Sequence, residues 1–404
     1  MSGEPTQAHG ASPPASPPDP LDAHLSASQR ALLADSERLA QSVFAPLAQG
    51  AEEGRVNRAL LAALAAQGLL GRLFTRTAAG WGTDVSAVEL CLIREGLARG
   101  STAAETAFAM QGLGSFALLQ CGSPELIERW IPRVAAGTAV AGFALSEPQA
   151  GSDVAALRLS ATRDGGGWRL QGEKTWISNA PQADLYTVFA RTGEGAGARG
   201  LSAFLVPGDS PGLSGEPLAL LSPHPIGRLS FQDVHVSAEH LLGEVGGGFA
   251  VAMRTLDLFR PSVGAFALGM AHAALRATVQ HTAQRQAFGA PLSARQAVAH
   301  RLAELATQVQ AARLLVHGAA SAYDAGLRPN TQLAAMAKLM ATEVAQRAVD
   351  TAVQFHGASA LERGHLLEHL YREVRAPRIY EGASEVQREI IARGLYAALA
   401  EDRR

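Results

Sequence analysis

The sequence predicts an α+β chain, mostly α, with a helical N-terminal domain, a middle domain built on an antiparallel β-sheet, and a C-terminal helical bundle. Two observations predict it. Apolar residues recur at helical spacing in the first and last thirds, and between about 140 and 236 the apolar period falls to two. The boundaries fall at 1–20, 21–139, 140–243 and 244–404. With 404 residues the chain is long enough for two or three domains and a large core.

Residues 1–20 hold six prolines and no Lys or Arg, so they read as a disordered tail and neither a signal nor a transit peptide. From Leu21 to about Gly137, Ala31, Leu32, Leu39 and Val43, then Leu60, Leu61, Leu64, Leu69 and Leu70, recur at helical spacing. The cluster Ala79-Gly-Trp-Gly82 punctuates them. Leu157, Leu159 and Ala161 then alternate with polar residues. Asp164-Gly-Gly-Gly167 turns the chain into Trp168-Arg-Leu-Gln-Gly172, which makes a hairpin. Leu185–Ala190 and Leu201–Val206 are strand-length apolar runs. Leu229 and Phe231 alternate in one phase and Val234 and Val236 in the other, which places a β-bulge near Gln232 and Asp233. From Gly248 onward the helical period returns. Val298, Leu302, Leu305, Val309 and Ala312 mark one face of a long helix in an antiparallel bundle.

Composition excludes several classes. Hydrophobic residues are 47% and charged residues 18%, the balance of a soluble protein rich in buried helix. The net charge of −2 gives no pull toward nucleic acid or an anionic membrane. From Asp350 to the end there are 8 Arg, no Lys and 9 Asp or Glu, so no basic tail exists to bind nucleic acid. Cys91 and Cys121 have no CxxC partner, which argues against metal and disulfide frameworks and fits a reducing, cytoplasmic compartment. No apolar run is long and clean enough to span a bilayer.

Five segments carry the chemistry. In Arg378-Ile-Tyr-Glu-Gly-Ala-Ser-Glu-Val-Gln387, Glu381 stands before a helix start that Ser384 and Gln387 mark as a capping box. It reads either as a loop carboxylate or as a base. In Phe143-Ala-Leu-Ser-Glu-Pro-Gln-Ala-Gly-Ser-Asp153 a strand ends at Ser146. Two turns follow that offer N–H groups and hydroxyls to an anion or a ring edge. Lys174-Thr-Trp-Ile-Ser-Asn179 places Trp176, ordinarily a core residue in a strand, near a hydroxyl. Arg285-Gln-Ala-Phe-Gly289, between a helix and the helix of Gln296, pairs a phosphate-binding cation with a stacking ring. Gln354-Phe-His-Gly-Ala358 is a helix C-terminus capped by Gly357, with backbone able to cradle a diphosphate.

In this order and at these separations, the motifs resemble the acyl-CoA dehydrogenase family over nearly the whole chain after the tail. The resemblance implies a C-terminal four-helix bundle, non-covalent FAD, and a homo-oligomer, dimer or tetramer. It places Phe143, Leu145, Ser146, Trp176, Ile177 and Ser178 against the flavin, with Ala383 and Glu385 also at the cofactor. Ser152 would lie by the FAD diphosphate or the thioester arm, and Arg285, Phe288, Gln296, Gln354 and Gly357 would reach the FAD of a neighbouring subunit. Asp257, Arg260 and Gly382 match substrate positions. Glu381 would take the α proton of an acyl thioester while the β hydrogen leaves as hydride to flavin N5. Its backbone N–H and a ribityl hydroxyl would hold the thioester oxygen. Some relatives carry the base beside Arg260, where this chain has Phe259. The family's usual electron acceptor is electron-transfer flavoprotein.

Three positions depart from the pattern. Ala383 stands where Thr is usual, so one hydroxyl contact to the cofactor is lost. Ser222-Pro-His-Pro-Ile-Gly-Arg228 replaces a Ser-Asp-Thr-like stretch that touches the CoA arm, which opens the alternative of a carrier-bound acyl group. Glu105 sits where relatives that take dicarboxylic acyl groups have Arg. Unpaired, it would select a cationic or donor-bearing acyl group, such as an amino-acyl group on a carrier protein. Alternatively it faces solvent or pairs with Arg94 or Arg99.

Overall fold

Helix α1, Ala27–Leu39, opens on a complete capping box: the Ser26 hydroxyl accepts from Gln29 N–H at 3.2 Å and Gln29 Oε1 accepts from Ser26 N–H at 2.9 Å. The structure is a computed structural model describing residues 20–78, 80–193, 195, 197–328 and 330–401. The proline-rich tail lies outside the described residues except for Pro20, which starts a 3-10 turn, Pro20–Asp22. That turn is anchored to the C-terminal bundle, since Leu21 O accepts from Gln310 Nε2 and Asp22 pairs with Arg313.

Helices α2, Ala45–Gln49, and α3, Arg58–Ala66, follow. Strands β1, Thr75–Thr77, and β2, Gly80–Gly82, form a small hairpin where the sequence suggested only punctuation. Three helices complete the domain: α4, Ala87–Gly100, α5, Thr102–Cys121, and α6, Pro124–Ala135. Helix α5 is buried around most of its circumference, which is why it lacks an amphipathic stripe.

The middle domain holds β3, Ala141–Ala144, β4, Ser160–Asp164, β5, Gly167–Ser178, β6, Leu185–Arg191, β7, Leu201–Pro207, β8, Leu213–Pro217, β9, Ile226–Ser237, and β10, Leu241–Leu242. They form one sheet in the order β10-β7-β6-β4-β5-β9-β8, with β3 beside β6. The sheet is mainly antiparallel, as expected, with two parallel contacts on β6: β3 from Ala141↔Leu185 to Ala144↔Val188, and β4 at Ser160↔Arg191. The β4–β5 hairpin brings the chain back to the start of β3, where Asn179 Nδ2 donates to Ala141 O at 2.8 Å, so β6 sets out in the direction of β3. The bulge is where the phase slip placed it. Leu170 faces Val234 and Gly172 faces Phe231, which leaves Gln232 and Asp233 opposite Gln171 alone.

Helix α7, Gly248–Gln284, starts the bundle. A two-stranded turn, β11, Gln286–Ala287, and β12, Ala290–Pro291, leads to α8, Gln296–Asp324. Leu305, Val309 and Ala312 are buried on the expected face of α8. Helix α9, Thr331–His356, runs parallel to α7, with Gly264 near Ala337 and Ala341 and the His281 and His356 rings stacked at 4.1 Å. Helices α10, Leu366–Val374, and α11, Ser384–Glu401, end the chain. Among the described residues no helix is long and apolar enough to cross a membrane, and no group of His, Cys, Asp or Glu could hold a metal ion.

Candidate active site

Glu381 occupies the turn between α10 and α11 in a left-handed conformation, φ +50°, and Gly382 follows at φ +91°. A non-glycine residue there is strained and persists only where its surroundings hold it. All three carbonyls of the turn are held. Lys338 Nζ, on α9, donates to Tyr380 O at 3.1 Å and Gly382 O at 2.6 Å. Gln387 Nε2 donates to Glu381 O at 3.2 Å and Gly382 O at 2.8 Å. The expected capping box is therefore absent. Ser384 is the first residue of α11, its hydroxyl donates to Glu343 Oε1 at 2.7 Å, and Gln387 reaches back to carbonyls instead.

Glu381 is half-buried, and one of its carboxylate oxygens is enclosed. Its Oε2 is buried without a hydrogen-bond partner among the described residues, and so is Arg260 Nε. Burial pushes the Glu381 carboxyl above its ordinary value, against the opposing pull of Arg94, Lys338 and Arg260. Arg260 Nη1 donates to Asp257 Oδ1 at 2.9 Å, so those two predicted substrate residues meet beside Glu381. Phe259 is buried edge-on to Phe116, their ring centres 6.1 Å apart, and offers no rival base.

Glu105 needs no cation from a substrate. It pairs with Arg94, both side chains are 1% exposed, and Arg94 Nη1 also reaches Ser262 Oγ at 2.6 Å. This corrects the selectivity reading of Glu105, because a protein cation already compensates the buried carboxylate. The altered loop is tied inward as well. His224 Nε2 lies 2.7 Å from Glu373 Oε2 and 3.4 Å from Thr106 Oγ1. Burial works against the His224 imidazolium, but Glu373 outweighs it and His224 is raised.

The second group of predicted residues gathers at the end of β3. Thr175 N–H donates to Ser146 O at 3.0 Å and Lys174 Nζ donates to Leu145 O at 2.9 Å, which sets Leu145 and Ser146 beside Trp176, Ile177 and Ser178. Phe143 packs edge-on to Phe189, ring centres 5.0 Å apart. Trp176 is not core. It is 52% exposed at φ +57°, because the β5–β9 register breaks between Lys174 and Ile177 and turns the indole out. Helix α5 joins this group to the Glu381 group. Glu105 is at one end, and Gly114 lies nine residues, about 14 Å, further along. A Cβ on Gly114 would meet Ala141 Cβ at 2.8 Å, so β3 packs directly on the helix.

Most of the remaining predicted residues are elsewhere. Arg285, Phe288, Gln296, Gln354 and Gly357 are exposed at the far end of the bundle, whose α7 ends about 36 Å beyond Arg260. Phe288 is 95% exposed at φ +53°, and Gly357 caps α9 at φ +67°, as its place in the sequence suggested. Ser152 is exposed in a bend. Ala383 starts α11 by accepting from Gln387 N–H, and Glu385 pairs with Arg388 in the first turn.

This geometry agrees with the comparisons to known proteins. Models of the N-terminal, middle and C-terminal domains of acyl-CoA dehydrogenase match residues 26–138, 142–234 and 246–396. The chain belongs to the acyl-CoA dehydrogenase family. It is 40% identical to cyclohexane-1-carbonyl-CoA dehydrogenase of Geobacter metallireducens over 307 residues, 75% of this chain and 80% of that one. It superposes on butyryl-CoA dehydrogenase of Megasphaera elsdenii with a TM-score of 0.86 at 32% identity, covering 92% of this chain and 99% of that one. A glutaryl-CoA dehydrogenase of Mycobacterium smegmatis in complex with FADH2 superposes with a TM-score of 0.85 at 28% identity, covering 93% and 96%.

Three residues of this family member escaped the sequence reading: Lys338, Glu147 and Lys174. Each carried a signal. Lys338 lies on the apolar row Ala334, Lys338, Ala341, Ala345 of α9. Lys174 has the inward parity of Trp168 and Leu170 along β5. Glu147, 1% exposed, is its partner at 2.8 Å.

Proposed function

We propose that the chain is an FAD-dependent dehydrogenase that removes the α and β hydrogens of an acyl-CoA thioester, with Glu381 as the base. The observation that carries this is the Glu381 carboxylate, with one oxygen enclosed and unpartnered, raised by burial and faced by Arg94, Arg260 and Lys338. The exposed faces of Trp176 and Phe288 fit a large planar cofactor, and the unpartnered Arg260 Nε fits an anionic ligand. Bound FAD would supply the acceptor for the β hydride. Leu145, Ser146, Trp176, Ile177 and Ser178 would hold its ring system, and Asp257 and Arg260 would hold the CoA arm. A carrier-bound substrate loses half its support, since Glu105 is already paired. Electron-transfer flavoprotein is the electron acceptor in this reading.

The purified protein is expected to release FAD and not FMN on heat extraction. Its flavin should bleach anaerobically with at least one member of a panel of acyl-CoA thioesters. Release of FMN, or bleaching by carrier-loaded thioesters alone, overturns the reading.

Arg285, Phe288, Gln296, Gln354 and Gly357 are offered outward, too far from Glu381 to complete its site within one chain. They would hold the FAD of a second copy. Leu361 at 70% exposure, Ile379 at 57% and Tyr396 at 74% supply apolar surface for such an assembly. Arg285→Ala is expected to weaken FAD binding by about 1.5–3 kcal/mol, the range of a charge-assisted hydrogen bond. Subunit association should weaken with it. Flavin titration and sedimentation check both, and unchanged values for both contradict a shared site.

A further inference from the structure

We propose that Lys338 is a positioning residue for Glu381, its buried ammonium gripping the carbonyls on either side so that the Glu381 carboxylate and N–H both face the substrate. This rests on Glu381 being the base. Lys338 is fully buried in α9, where an unpaired ammonium would be costly, and its two hydrogen bonds reach Tyr380 O and Gly382 O. The Tyr380 carbonyl and the Glu381 N–H belong to one trans peptide, so they point in opposite directions. Drawing that carbonyl toward α9 turns the N–H away from α9. A lysine donating to the carbonyl also polarises the same peptide and strengthens its N–H as a donor. The left-handed Glu381 backbone is a conformation that needs such a hold.

The charge has a second effect. Around the turn stand Arg94 from α4, Glu105 from α5, Arg260 from α7, Lys338 and Glu343 from α9, Glu373 from α10, the neighbouring Tyr380 phenol, and Glu385 from α11. Arg94 is engaged by Glu105, Arg260 by Asp257, and Glu343 by Arg378 and Ser384. Lys338 donates only to carbonyls among the described residues, so its positive charge is not neutralised by a contacting carboxylate and acts on Glu381. Burial has already pulled Lys338 down to about 8, and Glu381 works against that pull. Removing the ammonium removes a charge that holds Glu381 down, so the base should titrate at higher pH.

The test compares FAD-loaded wild type, Lys338→Met, Lys338→Arg and Glu381→Gln. Butyryl-CoA and cyclohexane-1-carbonyl-CoA are the probes, and the one that bleaches wild type faster is used throughout. Lys338→Met is expected to keep its FAD and a KM within about 3-fold, and to lose about 100-fold in kcat, the scale of a misplaced oxyanion donor. The acid limb of its kcat/KM profile should move to higher pH, and amide exchange in residues 379–383 should quicken about 10-fold. Lys338→Arg, which keeps charge and donors, should stay within about 10-fold of wild type. If Lys338→Met does not fold, Lys338→Gln carries the same comparison with an expected loss of about 10-fold. A dead Glu381→Gln beside a Lys338→Met of wild-type kcat and unmoved acid limb overturns the clamp and leaves the base. An active Glu381→Gln overturns the base itself.

Discussion

Glu381→Gln is expected to fold, keep its FAD and lose about 100- to 10,000-fold in kcat, the usual span for removal of a general base. Glutamine matches the shape of glutamate and makes no new demand on the left-handed backbone, but it cannot accept the α proton. The stability effect has a definite sign. Burial raises the folded carboxyl above its unfolded value, so this group contributes stability at low pH that is lost as pH rises through the folded pKa. At neutral pH the buried carboxylate is therefore a burden, and Glu381→Gln should melt no lower than wild type. In wild type the same shift puts the acid limb of kcat/KM above the ordinary 4.5 of a glutamate, because the base fails once protonated. A variant with near wild-type kcat would place the base elsewhere, and an acid limb at or below 4.5 would contradict the enclosed carboxylate.

Much of this was legible because local chemistry and tertiary environment agree. The phase slip at Val234 requires a bulge whatever packs on the sheet, and the apolar row of α8 buries as its spacing demands. Gly357 sits at a positive φ where a helix must end. The failures have the opposite cause. Trp176 looks like core by residue type, but a register break decides its direction. Ser384 and Gln387 have the spacing of a capping box, yet Glu343 and the carbonyls of the Glu381 turn compete for their side chains and win. Glu105 reads as a pocket carboxylate until Arg94 is brought beside it from α4, eleven residues away, by the bend between α4 and α5. Residues that act by holding others, Lys338 foremost, show only as a charge in an apolar row. That pattern marks burial but does not name the partner.

Glu147→Ala is the second large effect, and it acts on the cofactor end of the site through the fold. Glu147 Oε1 accepts from Leu159 N–H at 2.9 Å and Lys174 Nζ at 2.8 Å. Its Oε2 accepts from Arg158 N–H at 2.7 Å and Gln149 Nε2 at 2.8 Å. Lys174 in turn donates to Leu145 O. One buried carboxylate thus ties the end of β3, the start of β4 and the middle of β5 into the ledge that carries Leu145, Ser146 and Trp176. Removing it strands the Lys174 ammonium and two backbone donors. Breaking a buried pair from one side costs about 3–5 kcal/mol. Urea unfolding followed by tryptophan fluorescence should show that loss, with FAD released at lower denaturant than in wild type. Burial pulls Lys174 down to about 8 even with Glu147 holding it up, so without Glu147 it falls further, and the deficit should shrink as pH rises toward 8 and level off above it. The double variant Glu147→Gln with Lys174→Met separates charge from shape. It removes both charges while keeping an acceptor for one of the two backbone N–H groups, so it should regain part of what Glu147→Ala loses. A Glu147→Ala protein within about 0.5 kcal/mol of wild type, the range of an unremarkable surface change, would mean that the ledge does not depend on this carboxylate.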